Sequence, residues 1–111
     1  MSVHRLIVFT EAVPGREQEF NDWYDQVHLK EVLEVDGFVA AQRFERAEKQ
    51  MDGMEDVPAR FLAIYEIEAP SVEEAMARLG ASADTMNMTD AMADGAVAFA
   101  YSAIGERQQS A

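Results

Sequence analysis

Cysteine is missing from all 111 residues. That excludes a disulfide framework, a thiolate nucleophile and a cysteine-held metal, and it is compatible with a reducing compartment. Positive charge is scarce: nine Lys and Arg stand against 21 Asp and Glu, for a net charge of −12. Nucleic acid and anionic membranes both need a basic surface, so neither is an expected partner, and the acidity reads first as solubility. Long hydrophobic runs are absent too. The apolar start, residues 1–10, is broken by His4 and Arg5 and does not read as a signal peptide, and no stretch reaches the length of a membrane span. Cytoplasmic residence is the expectation. There is no Gly-rich phosphate loop, no serine nucleophile elbow and no His-Glu-x-x-His spacing, so neither nucleotide chemistry nor a metal site is expected.

What is present suits a globular fold. Apolar residues make up 49% of the chain, and 111 residues are one domain's worth, spanning 1–111. Residues 3–10 read as a strand, and Val13-Pro14-Gly15 as a turn. A long helix is expected over residues 16–35, opened by Glu17 and Glu19 and stopped by Asp36-Gly37. Strands are expected at residues 38–46, 60–68 and 96–104, with an exposed loop at 47–58. A second helix is capped at Ser71, and residues 80–95 mix helix and loop. The order β-α-β-β-α-β is that of a ferredoxin-like α+β fold: a four-stranded antiparallel sheet with two helices on one face.

Neither side of that sheet alternates cleanly. In the second strand Phe38, Ala40 and Phe44 oppose Val39 and Ala41. In the third, Phe61, Ala63, Tyr65 and Ile67 oppose Leu62 and Ile64. In the fourth, Val97, Phe99 and Tyr101 oppose Ala98 and Ala100. Helices cover one face, and a second copy with its sheet facing the first is the expected cover for the other.

The segment richest in chemistry is Phe20-Asn21-Asp22-Trp23-Tyr24-Asp25-Gln26-Val27-His28. At ~100° per residue Phe20, Trp23, Tyr24 and Val27 share a stripe, with Asn21, Asp25 and His28 on its flank. Asp25, one turn before His28, is placed to hold one imidazole nitrogen while the other moves a proton. Asn21 or Tyr24 could donate to an anionic oxygen, and Trp23 and Tyr24 could wall a flat ligand. The candidate catalytic residues are therefore His28, Asp25 and Tyr24. The candidate substrate-binding residues are Phe20, Asn21, Trp23, Gln42, Tyr65, Met86 and Phe99. His4, the only other histidine, reads as structural or interfacial, and Arg43 and Tyr101 as further polar tips able to reach a cavity.

Residues 14–33, with Trp23, Tyr24 and His28 in a W-Y-x-x-x-H pattern, and the following Asp36-Gly37-Phe38 strand entry resemble the dimeric α+β barrel superfamily, and within it EthD-like proteins. Residues 101–107 resemble that group as well. Lys30 stands where many EthD-like members carry proline. The resemblance implies a homodimer with facing sheets and a cavity between sheet and helices. It also implies an activity among cofactor-free cyclases, isomerases, dehydratases and monooxygenases, although the superfamily has haem-dependent members too. The expected function is a cofactor-independent lyase, isomerase or cyclase using His28 for proton transfer on a small hydrophobic aromatic, polyketide-like or xenobiotic substrate. A monooxygenase, a non-catalytic binder of an apolar molecule and a haem site at His28 remain open alternatives.

Overall fold

The computed structural model describes residues 2–111. In chain order it contains β1 (Ser2–Thr10), α1 (Glu17–Trp23), a π-helical turn (Tyr24–His28), α2 (Leu29–Leu33), β2 (Phe38–Glu45), β3 (Phe61–Ala69), α3 (Val72–Ser82), a 3₁₀ turn (Ala83–Thr85) and β4 (Val97–Ser102). The strands form one antiparallel sheet in the order β2-β3-β1-β4. This is the βαββαβ ferredoxin-like arrangement. Among the described residues no helix is long and apolar enough to cross a membrane.

Local chemistry sets the boundaries. Gly15, at φ +84°, turns the chain into α1, whose first turn carries Glu17 and Glu19 at the positive end of the helix dipole. Gly37, at φ +97°, reverses the chain into β2, and a Cβ there would meet the Glu68 carbonyl at 3.4 Å. The Ser71 hydroxyl accepts the Glu74 amide at 3.1 Å and caps α3.

Burial separates the two sheet faces. Leu6 of β1 and Phe61, Ala63, Tyr65 and Ile67 of β3 point under the helices and pack with Phe20, Tyr24 and Val32. His4 shares the Leu6 face, buried, with its Nδ1 2.7 Å from the Ser102 hydroxyl. Beyond Phe38 the strict alternation expected for β2 fails. The register shifts between Phe38 and Ala40, so Val39 is an inserted residue. The insertion moves Ala41 and Arg43 to the helix side with Phe38, and leaves Ala40, Gln42 and Phe44 on the open face.

That open face is apolar. Val3, Phe44, Val97, Phe99 and Tyr101 are between 42% and 61% exposed. The helical layer also stops short of β4, whose inward-facing Ala98 and Ala100 are exposed.

Phe20 is fully buried, with its ring 5.6 Å from those of both Tyr24 and Phe61. Phe20→Ala should lower unfolding stability by about 3–5 kcal/mol, read from urea denaturation. A loss comparable to that of a surface substitution would show that the helix does not seat on the sheet through this ring.

Candidate functional site

In a regular α-helix, residues five apart lie about 140° around the axis from each other. The π turn at Tyr24–His28 widens the helix by one residue. Trp23 and His28 consequently stack, with ring centroids 4.7 Å apart and planes 18° from parallel. Tyr24 meets His28 edge-on at 5.1 Å. The same widening counters the drift of residues spaced by four, so Tyr24, His28 and Val32 all border one hollow of about 240 Å³ between sheet and helices. Leu6 and Val8 of β1, Tyr65 of β3, Leu79 of α3, and Ala83, Met86, Met88 and Ala98 complete its largely apolar lining.

Burial pushes the His28 imidazole below its ordinary value, and nearby Glu31 opposes this more weakly. The ring is therefore neutral near pH 7. Its Nδ1 is buried without a protein partner. The Tyr65 hydroxyl donates to that of Tyr24 at 3.0 Å. Burial raises both phenols; the hydrogen bond from Tyr65 and the cationic Arg43 partly offset the rise at Tyr24. Both stay neutral, and the Tyr24 oxygen, once it accepts from Tyr65, has its own proton free to donate.

Asp25 does not hold His28. The widened turn carries it to the opposite flank, where its carboxylate accepts Arg43 Nη1 at 3.0 Å. Asn21 Oδ1 accepts Arg43 Nη2 at 2.9 Å. The Arg43 side chain is only 12% exposed and its guanidinium lies 4.5 Å from the Tyr24 ring centre. Asp25 thus neutralises, and Asn21 hydrogen-bonds, a largely buried cation behind Tyr24, which they can reach because the β2 insertion turned Arg43 inward.

The remaining candidates divide. Tyr65 and Met86 line the hollow with His28 and Tyr24. Trp23 backs the imidazole, whereas Phe20 is sealed in the core. Gln42 lies on the open face, bordering the cleft beside Arg43, and Phe99 lies on that face packed edge-on against Phe9. Neither reaches the hollow, since strand parity directs both away from the helices. Val27 is half-buried and outside the core, because the apolar stripe skips it at the wide turn. Glu31 and Asn87 escaped the sequence reading altogether. They lie 56 residues apart and carry no local pattern, yet the Glu31 carboxylate accepts both the backbone and the side-chain amide of Asn87. Among the described residues no three His, Asp or Glu side chains converge as metal ligands would.

No protein-family model matches the sequence, and no curated protein matches it. Solved structures do match in shape. A mutant of MhuD, crystallised with two manganese protoporphyrin IX per active site, is 14% identical over 96% of this chain and 99% of its own, at a TM-score of 0.65. An EthD family protein from Bacillus halodurans is 14% identical over 97% of this chain and 100% of its own, at 0.56. HapK from Hahella chejuensis is 11% identical over the full length of both chains, also at 0.56. At these identities what is shared is the fold.

The depressed imidazole has a consequence for stability. An unfolded histidine titrates near 6.5, the native His28 lower. Between those values the unfolded chain binds the extra proton. The contribution of His28 is therefore whole above about pH 6.5, declines as pH drops through the window and levels off below the native value. From about pH 7.5 to about pH 5.5, urea unfolding should show a larger loss in the wild type than in His28→Gln. Equal losses would place the ring in bulk water.

Proposed function

We propose that the hollow beside His28 is the active site of a cofactor-independent lyase or isomerase that moves a proton on a small, largely apolar carbonyl or phenolic compound. The observation that carries this is a neutral imidazole and a donor-ready phenol, Tyr24, bordering one apolar cavity. Nε2 of His28 takes a proton from the carbon beside a carbonyl. The developing enolate oxygen accepts the Tyr24 hydroxyl, which Tyr65 holds in place, and the imidazolium then returns the proton to a different carbon or to a leaving group. The low-dielectric lining strengthens the bond to the enolate.

The volume, about 240 Å³, lies below the roughly 300–1,000 Å³ of sites for drug-sized ligands and suits a compound of one or two rings. The hollow as it stands is small for a porphyrin such as the ones MhuD holds.

A carbon acid of the right size tests the reading without the natural substrate. Wild-type protein should catalyse exchange of the α-hydrogens of 2-indanone in deuterium oxide, followed by proton NMR. His28→Ala should lose on the order of 10²-fold and Tyr24→Phe a similar factor. Stabilisation by 2-indanone without exchange would favour a binding protein, and substrate-dependent oxygen uptake a monooxygenase. Exchange unchanged in His28→Ala removes this residue from the mechanism.

The exposed apolar face supports a homodimer with facing sheets, as in the dimeric α+β barrel arrangement. Sedimentation at micromolar concentration should give twice the 12.4 kDa of one chain, and Phe99→Glu should halve it. A wild-type protein that sediments as a single chain refutes the pairing.

A further inference from the structure

The segment after the 3₁₀ turn alternates in role. Met86 and Met88 line the hollow, while Asn87 between them turns to Glu31 of α2. The Glu31 carboxylate accepts the Asn87 backbone amide at 3.0 Å and its side-chain amide at 2.8 Å. The Asn87 carbonyl in turn accepts Trp23 Nε1 at 2.7 Å. Trp23 is the residue stacked on His28. A continuous chain of contacts thus runs from Glu31 through Asn87 and the indole to the imidazole.

The stack needs such a tether. The flat faces of an indole and an imidazole slide over each other at little cost, and neither ring nitrogen of His28 has a hydrogen bond in this structure to set its plane. The Trp23 Nε1 bond is the one directional contact on the pair, and it is fixed only as well as Asn87 is. Three donor–acceptor contacts from one carboxylate hold Asn87.

We propose that Glu31 and Asn87 are positioning residues for His28: Glu31 grips Asn87, Asn87 fixes the indole of Trp23, and the indole sets the plane of the imidazole at the wall of the hollow. The importance of that plane rests on the catalytic reading of His28, but its test needs no substrate. Trp23 is the only tryptophan, and a protonated imidazole stacked on an indole quenches its emission. Fluorescence against pH therefore reports both the stack and the His28 titration, with the imidazole Cε1–H resonance in proton NMR as an independent record. The other titratable groups bordering the hollow, Tyr24 and Tyr65, stay neutral throughout.

The sign of the change in Glu31→Ala decides the matter. If Glu31 acts only as a neighbouring anion, removing it lowers the His28 midpoint further and leaves the quench intact. If it is a clamp, the freed indole and imidazole admit water, the midpoint rises toward about 6.5 and the quench shrinks. The second result is expected. Glu31→Gln, which keeps an acceptor for Asn87 and loses the charge, should retain the quench. Asn87→Ala should follow Glu31→Ala in direction by a smaller amount, and it carries the same comparison should Glu31→Ala fail to fold. A lowered midpoint with full quenching in these variants overturns the proposal. The two readings fail separately: absence of 2-indanone exchange in the wild type removes the catalytic assignment and leaves the titrations to judge the clamp.

Discussion

Between Tyr24 and His28 the backbone takes one residue more per hydrogen-bonded ring than the helix on either side, and the arrangement of the site follows from it. A regular helix would set the imidazole about 140° from the indole and leave Asp25 one turn beneath it. The wider turn exchanges those neighbours. His28 gains an aromatic face and loses a carboxylate, so it is held by stacking in an apolar wall and not by an ion pair in water. Its proton affinity falls accordingly, and a group otherwise half-charged near neutrality becomes a neutral base.

The carboxylate moved out of reach is not idle. Asp25 and Asn21 together satisfy both Nη atoms of Arg43. Its cation sits over Tyr24 and within 5.6 Å of the ring centres of Phe20 and Phe61. A guanidinium so enclosed needs this pairing, because a buried charge left alone costs several kcal/mol. The aromatic cluster gains an electrostatic anchor in return.

Much of the architecture was legible because it rests on local signals. β-branched runs, the Pro14-Gly15 and Asp36-Gly37 punctuation and the Ser71 cap each act within a few residues, and they suffice for the element order and the sheet. His28, Tyr24, Tyr65 and Met86 were readable as candidates from residue type, and the structure draws them around one cavity. The failures share a physical origin. Helical spacing linked Asp25 to His28, and strand parity put Ala40 with Phe38; each inference assumed a constant period where the backbone inserts one residue. Neither insertion has a glycine or proline to announce it. The Glu31–Asn87 pair was invisible for a different reason, since contacts across 56 residues depend on how α2 and the segment beyond α3 come together, which no local pattern encodes.

The inserted Val39 also bears on how the molecule can assemble. β2 is one of the two outer strands of the sheet, and its backbone ladder is interrupted where the extra residue sits. An incoming strand would find its hydrogen-bonding groups out of phase beyond that point, as with the bulges by which natural sheets blunt their borders. Continuous lateral growth requires two compatible borders, and here only β4 is unbroken. Edge-to-edge growth is disfavoured at the border that carries the insertion.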